Sequence, residues 1–266
     1  MILTSLIYFF IFLFGLAIGS FLNCVIYRLE KGENFIMGRS HCPHCGHVLS
    51  WQDLIPIFSF LFLRGKCRYC QKPISWQYPL VEISTGLLFL TTYNLQLTTY
   101  NLQNLLVFSY WLFVVCCLVI IFVSDLKHYI IPDRVIYPAI VIAFLYNIHQ
   151  FAIDNQQLTI NNFLFAFGAA AFFLTIVLIS RGKWMGVGDI KLAFFMGLFL
   201  GWPKILFALF LAFFIGAIIG VGLIIFGKKT LKSEIPFGPF LVSGTFLALF
   251  FGQKILDWYL NLFLLK

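Results

Sequence analysis

Residues 1–27 read MILTSLIYFFIFLFGLAIGSFLNCVIY, and none of these side chains is charged. A second uncharged stretch covers residues 83–124. Over the 266 residues of the chain, 61% are hydrophobic and 11% are charged, against about 45–50% and about 25% in ordinary soluble domains. Such a composition lacks the polar side chains that a water-soluble surface needs, so the soluble and disordered classes are excluded.

The long apolar runs predict an all-α polytopic membrane protein with about eight transmembrane helices. A helix needs roughly 20 apolar residues to cross the hydrocarbon core, and the chain is long enough for eight such spans and one extramembrane loop. Outer-membrane barrels require alternating apolar and polar residues, which these runs do not show. The predicted spans are residues 3–26, 79 to before 91, 105–124, 135–153, 163–180, 190–200, 205–226 and from 237 onward.

A tandem repeat separates the second predicted span from the third. The heptads TTYNLQL (residues 91–97) and TTYNLQN (residues 98–104) are polar and contain several Asn and Gln side chains. We therefore expect an external hairpin here, with the second span ending before Thr91.

The distribution of basic residues predicts the orientation of the spans. With the N-terminus outside the cytoplasm, 15 of the 18 Lys and Arg residues fall on cytoplasmic connections, as the positive-inside rule requires. The net charge of +8 is thus placed beside anionic lipid headgroups, and we expect no nucleic-acid partner. No basic residue precedes the first apolar run, so we expect a retained span and no cleavable signal peptide. The cytoplasmic connections are residues 27–78, 125–134, 181–191 and 227–234.

Two C-x-x-C pairs lie in the largest cytoplasmic connection, separated by 21 residues. Two such pairs supply the four thiolates of a tetrahedral zinc site, which has no open coordination position and is therefore structural. The cytoplasm is reducing, which disfavours disulfides. Gly46 and Gly65 suit the tight turns that such pairs need. The four predicted ligands are Cys42, Cys45, Cys67 and Cys70.

Other potential ligands and thiols surround this site. Three neighbouring histidines are alternative ligands, although four cysteines are sufficient: His41, His44 and His47. Three further thiols lie in apolar spans, where we expect them to pack against other side chains: Cys24, Cys116 and Cys117.

Two acidic residues fall at span ends on the same predicted membrane face. Asp125 ends span three and Asp189 precedes span six. Two carboxylates in a low-dielectric site share a proton, so that one can deprotonate a water molecule while the other polarises a peptide carbonyl. The pair predicts metal-independent aspartyl protease chemistry. Taken singly, each Asp is also explained as a helix cap, and Asp133 is most simply a cap of that kind.

The residues around the aspartates support a site. The two glycines before Asp189 would let a second backbone approach closely. The sequence PFGP at residues 236–239 blocks regular helix at the start of span eight, and irregular backbone at membrane depth is tolerated only beside protein, water or substrate. Lys191 either tunes the ionisation of the aspartates or anchors the cytoplasmic face. The predicted site-shaping residues are Gly186, Gly188, Lys191, Pro236, Gly238 and Pro239.

This ordered set of motifs resembles the bacterial type IV prepilin peptidases, which belong to the GxGD class of membrane aspartyl proteases. The resemblance covers nearly the whole chain and includes GSFLN at residues 19–23, VIYR at 25–28 and YPLVE at 78–82. It implies that Asp125 and Asp189 are the catalytic pair. It also implies that the substrate is a prepilin or pseudopilin whose leader is cut after Gly on the cytoplasmic side.

Relatives with a long cysteine-bearing first loop also methylate the newly exposed N-terminal amine with S-adenosylmethionine. The resemblance places this activity in the loop and in nearby residues such as Glu82, and the residues that bind the donor stay unassigned. It implies a location in the bacterial inner membrane. It divides the chain into a first transmembrane helix (1–27), a cytoplasmic zinc-binding loop linked to the methyltransferase (28–78) and a seven-helix peptidase domain (79–266).

The alternative from another class is a small membrane transporter with a cytoplasmic zinc module, in which the two Asp serve as a proton relay. A transporter predicts polar residues near the midplane and inverted repeats, and neither is apparent. A scaffold that anchors a zinc ribbon leaves the glycine–aspartate context unexplained.

Overall fold

The computed structural model describes residues 2–34, 38–96, 102–153, 156–227 and 235–264, and most of them are helical. Within these residues the only strand-like pairings are two isolated bridges in the cysteine loop. That loop also carries a 3-10 turn at Trp51–Leu54. The α-helices are α1 (Ile2–Lys31), α2 (Phe58–Phe62), α3 (Gln77–Gln96), α4 (Leu102–His128), α5 (Asp133–Ala152), α6 (Gln156–Ser180), α7 (Val187–Leu200), α8 (Lys204–Ile225) and α9 (Gly238–Leu264).

The all-helical class is confirmed, and all helices except the short α2 follow the predicted spans in order. In the described part of the chain, five helices are long and apolar enough to cross a membrane, namely α1, α4, α5, α6 and α8. The helices α3, α7 and α9 are not among them, so the prediction of eight crossings is not confirmed. The helix α7 has 14 residues and is only about 21 Å long, against a hydrocarbon core of about 30 Å.

The predicted hairpin is wrong over residues 91–96, because α3 continues through Gln96. The polar side chains there bond to carbonyls one turn earlier: the Thr92 hydroxyl donates to Leu88 O at 2.7 Å and the Asn94 amide to Leu90 O at 3.1 Å. Residues 97–101 lie outside the described residues, as do residues 228–234 of the last predicted cytoplasmic connection.

The chain forms two compact units, residues 1–120 and 121–266, divided inside α4. In the first unit, α1 packs along α3 through glycines one turn apart, because small residues let helix backbones touch in a membrane. A Cβ on Gly15 would lie 2.7 Å from Gly86 Cα, and one on Gly19 would lie 2.7 Å from Glu82 Cα. These contacts fix the register of the two helices.

In the second unit, α7 is the central helix and contacts α5, α6, α8 and α9. Its buried side chains include Leu192, Phe195 and Met196. Near its C-terminal end the buried amide of Asn147 donates to Leu198 O at 3.0 Å, which satisfies a carbonyl that the helix leaves unpaired. This bond holds the C-terminal end of the helix, and Asp189 lies in its first turn.

Candidate active site

Asp125 lies in the last turn of α4, which ends at His128. The carboxyl end of a helix dipole disfavours an acidic side chain, so helix capping does not explain this residue. The side chain is buried, and its Oδ2 accepts the backbone N–H of Gly238 at 2.9 Å. The first residue of α9 therefore fixes the orientation of this carboxylate.

Asp189 occupies the first turn of α7, three residues after the N-cap Gly186. Its Oδ2 accepts the N–H of Gly186 at 3.1 Å, the bond that an acidic residue makes at this position of a helix. The Gly-x-Gly-Asp spacing is thus the spacing of an N-cap and its third helical residue. The side chain is nevertheless buried, which an ordinary surface cap does not require.

The two aspartates are brought together in the second unit. The Asp125 carboxylate lies close enough to Asp189 to interact with it electrostatically. Each uses its Oδ2 to accept a glycine N–H, and within the described residues neither has another hydrogen bond. Three helices, α4, α7 and α9, therefore converge on one buried acidic site whose remaining oxygen atoms are available to a substrate or to water.

The glycines at this site differ in their surroundings. A Cβ on Gly238 would lie 2.5 Å from Asp125 Oδ2, so only glycine fits without moving the carboxylate. A Cβ on Gly188 would lie 3.1 Å from the side chain of Ile131. The neighbour of Gly188 is therefore a side chain and not the second backbone that the sequence had suggested, and Gly186 has no such neighbour.

Lys191 is tied to the start of α5. Its Nζ donates to Asp133 Oδ1 at 2.6 Å and lies 4.7 Å from the centre of the Tyr137 ring. Asp133 is the first residue of α5 and makes no capping bond, so its predicted role as a helix cap is wrong. Its carboxylate instead binds Lys191, which links the start of α5 to α7 two residues after Asp189.

The PFGP sequence begins α9. Pro236 and Phe237 precede the helix and Pro239 lies in its first turn, where proline is tolerated because an N–H there has no helical partner. The Phe237 ring lies 5.0 Å from that of Phe213, between ring centres. The backbone expected to be unpaired is thus partly satisfied, since the N–H of Gly238 is held by Asp125.

The four predicted cysteine ligands form one cluster. Their Sγ atoms all lie within 4.8 Å of one another, and none forms a disulfide. The Cys42 and Cys70 sulfurs are 3.9 Å apart, close to the roughly 3.8 Å between two sulfurs of a tetrahedral zinc–thiolate centre with bonds of about 2.3 Å. Four thiolates at such separations repel one another, so the set fits a divalent cation.

Each cysteine pair sits on a small hairpin closed by one bridge, His41 with Val48 and Lys66 with Pro73. In the first hairpin Gly46 has φ +69°, as expected for its turn, and at the matching position of the second hairpin Gln71 has φ +58°. Gly65 also has a positive φ of +68°. The two hairpins contact each other through the rings of His47 and Tyr69, whose centres are 3.6 Å apart and whose planes are tilted by 34°.

The electrostatics of the thiols agree with metal binding. Burial acts to raise the pKa of the Cys42 thiol, but backbone hydrogen bonds of Cys45 and His44 outweigh it and lower that pKa to about 7. A backbone hydrogen bond at Lys72 acts to lower the pKa of Cys70, while burial and the three neighbouring thiols raise it to about 11. The Cys42 thiol therefore ionises readily, whereas the Cys70 thiol needs a nearby positive charge, such as a metal ion, to ionise.

Comparison with known proteins identifies the family. Residues 13–95 match the bacterial Peptidase A24 N-terminal domain, and residues 112–221 match the type IV leader peptidase family. A protein of Aeromonas hydrophila named prepilin leader peptidase/N-methyltransferase is 32% identical, over 96% of this chain and 94% of its own. The chain belongs to the type IV leader peptidase family.

Other members of the family carry the same name. The Bacillus subtilis (strain 168) relative is 32% identical over 95% of this chain and 97% of its own. The Legionella pneumophila relative is 31% identical over 94% of this chain and 93% of its own. No solved structure matches the chain. Membership of this family of peptidases and methyltransferases favours the enzyme over the transporter.

The structure of this family member also shows a contact that the sequence motifs did not indicate. Glu82 of α3 is buried, and its Oε2 accepts the N–H of Ile57 at 2.7 Å. Ile57 has φ +62° and ψ −52°, and the next N–H, of Phe58, donates to Pro56 O at 2.6 Å. This is a γ-turn of the rare, strained type. The proline before Ile57 was the only signal of a turn here.

Proposed function

We propose that Asp125 and Asp189 are the catalytic pair of a membrane aspartyl endopeptidase that removes the leader of type IV prepilins or pseudopilins. One observation carries this proposal: two buried carboxylates from α4 and α7 lie close enough to interact electrostatically, and each accepts a hydrogen bond from a glycine N–H. Prepilin substrates are inferred from the names of the relatives. Cleavage after Gly on the cytoplasmic side follows the family resemblance.

The site can perform this reaction without a metal ion. One carboxylate, ionised, removes a proton from a water molecule, which then attacks the scissile carbonyl. The other, protonated, donates a hydrogen bond to the carbonyl oxygen and later returns a proton to the leaving amine. Gly238 and Gly186 hold one oxygen of Asp125 and of Asp189 respectively, so both remaining oxygens are pre-oriented for the substrate.

The direct test uses Asp125→Asn and Asp189→Asn with a co-expressed prepilin, followed by mass spectrometry of the pilin N-terminus. We expect each change to reduce cleavage by about 10²–10⁴-fold, the range for loss of a general acid or base. The matched control is Asp133→Asn, which removes a more exposed carboxylate at the start of α5 and should retain most of the activity. Undiminished cleavage in either catalytic variant would contradict the assignment.

The second proposed activity is N-methylation of the new N-terminal residue. The relatives are named N-methyltransferases, which supports S-adenosylmethionine as the donor; it supplies an activated methyl group to the free amine. We place this activity in the first unit, with the cysteine loop and residues near it such as Glu82. The same mass spectra test it, because a methyl group adds about 14 Da to the cleaved pilin, and with purified protein this addition should require S-adenosylmethionine.

The cysteine cluster is proposed to hold a structural zinc ion through Cys42, Cys45, Cys67 and Cys70. The sulfur separations and the lowered pKa of Cys42 support a metal, and an all-thiolate set at this spacing favours zinc. Metal analysis of the purified protein should find one zinc per chain. Absence of bound metal, together with unchanged stability in chelator, would remove the assignment.

We further infer that the protein lies in the bacterial inner membrane with its N-terminus outside the cytoplasm and about eight crossings. The five apolar helices and the basic connections support this orientation. Reporter fusions at residues 72 and 203 test it, because the first should report a cytoplasmic position and the second an external one. The opposite result would reverse the topology and separate the aspartates from a cytoplasmic leader.

A further inference from the structure

An uncharged run, LIPIFSFLFL at residues 54–63, interrupts the otherwise basic loop between α1 and α3. We refer to these ten residues as the apolar loop segment; it contains α2. The side chains of Phe58, Leu61 and Phe62 in it are 53%, 62% and 84% exposed. Adjacent exposed apolar groups of this size mark an interaction surface.

The register between α1 and α3 sets the depth of the apolar loop segment. Ile57 is hydrogen-bonded to Glu82, and the backbone of Glu82 lies against Gly19 of α1. Gly19 precedes Arg28, the first charged residue of the chain, by nine residues, which is about 13 Å of helix. The headgroup layer is about 5–8 Å thick on each side of the hydrocarbon core. With Arg28 at the outer edge of that layer, Gly19 lies about 5–8 Å inside the hydrocarbon core, so the loop folds back beside a part of α1 that is past the headgroups.

The backbone of the segment is suited to that position, where unpaired polar groups are costly. Pro56 has no N–H, and the N–H of Ile57 is taken by Glu82. Four more N–H groups donate to carbonyls inside the segment: those of Phe58, Ser59, Leu61 and Leu63. The segment therefore presents apolar side chains to its surroundings, while these backbone N–H groups are already hydrogen-bonded.

The flanking residues complement a lipid surface rather than another protein core. Trp51 and Trp76 on either side are 73% and 69% exposed, and tryptophan is enriched at membrane interfaces. Four basic residues follow the segment within a short distance, which favours anionic headgroups: Arg64, Lys66, Arg68 and Lys72.

We propose that the apolar loop segment inserts into the headgroup–acyl boundary of the leaflet next to the cysteine loop, and that Glu82 anchors it there through Ile57. The exposed face of the apolar loop segment contacts lipid. This holds the cysteine loop against the membrane surface, and it does not depend on the proposed peptidase chemistry.

The test places a photoreactive benzoylphenylalanine at Phe62 of the full chain in nanodiscs of phosphatidylethanolamine and phosphatidylglycerol. The matched control carries the same probe at Val48, an exposed apolar residue of the first cysteine hairpin. After irradiation, mass spectrometry should find several-fold more phospholipid adduct at position 62 than at 48. Equal adduct yields, or a major cross-link to prepilin or to another part of the chain, would overturn the proposal.

The anchor is tested with the probe kept at Phe62. Glu82→Ala removes the acceptor and should lower the adduct yield toward the level at Val48, whereas Glu82→Gln keeps an amide oxygen and should retain most of it. Bound metal reports whether the loop stays folded. An unchanged adduct yield in Glu82→Ala would refute the anchor, and the comparison of the two probe positions stands even if that variant fails to accumulate.

Discussion

Gly238→Ala would place a methyl group directly against the carboxylate of Asp125. The new Cβ would lie 2.5 Å from Oδ2 and 3.0 Å from Cγ, whereas non-bonded atoms pack best at about 3.5 Å. The carboxylate must therefore move by about 1 Å, away from the position in which the N–H of Gly238 holds it. A displacement of that size at a reacting group costs about 10²-fold in rate, or about 2.7 kcal/mol of transition-state stabilisation.

The assay is the kcat/KM for leader cleavage of a purified prepilin by the full protein in lipid. Gly168→Ala is the matched control, because a Cβ there has no neighbour within 4 Å. Methylation of pilin supplied already cleaved should be unaffected by Gly238→Ala, since we propose that this activity belongs to the first unit. Cleavage within twofold of the unsubstituted protein would refute the geometry proposed for this site.

The remaining predictions concern stability and the metal. Gln71→Gly should strengthen the second cysteine hairpin by up to about 1 kcal/mol, because a left-handed residue other than glycine is strained; slower metal release to a chelator measures this, and faster release would contradict it. Gly197→Ala should destabilise the second unit by about 1–3 kcal/mol through overpacking, since its Cβ would overlap Ala166 of α6; thermal melting beside the Gly168→Ala control checks it. Cys67→Ser should abolish bound zinc and lower methylation more than cleavage, as quantified by metal analysis and the two activities, and equal loss of both activities would count against a separate role for the loop.

The sequence predicts the fold class and the order of the helices well, because long apolar runs leave few alternatives to membrane helices. Helix ends are less predictable. The first helix extends to Lys31, beyond the predicted end at residue 26, because Arg28 is buried and its guanidinium donates to Gly38 O at 2.8 Å. No residue near Arg28 in the sequence indicates this hydrogen bond, because Gly38 lies in the loop that follows α1.

For the candidate site, the placement of the two aspartates can be predicted from the sequence, but the groups that orient them cannot. Topology places Asp125 and Asp189 on one face, and the structure brings them together in agreement with that expectation, while their catalytic role stays a proposal. The partners that orient them depend on tertiary packing: the N–H of Gly238 lies 113 residues from Asp125 along the chain. Tertiary packing also decides the partner of Lys191. The sequence offered it as a group that tunes the aspartates, whereas in the structure its ammonium group pairs with Asp133.

The shortness of α7 ties the aspartate site to the helices that surround it. With 14 residues, α7 is shorter than the hydrocarbon core is thick, and it packs against α5, α6, α8 and α9. Its depth is therefore set by these neighbours, among them Asn147 of α5, which bonds to Leu198 O near the far end of the helix. A substitution that shifts one of these neighbours is therefore expected to displace Asp189 even when it lies far from the acidic pair.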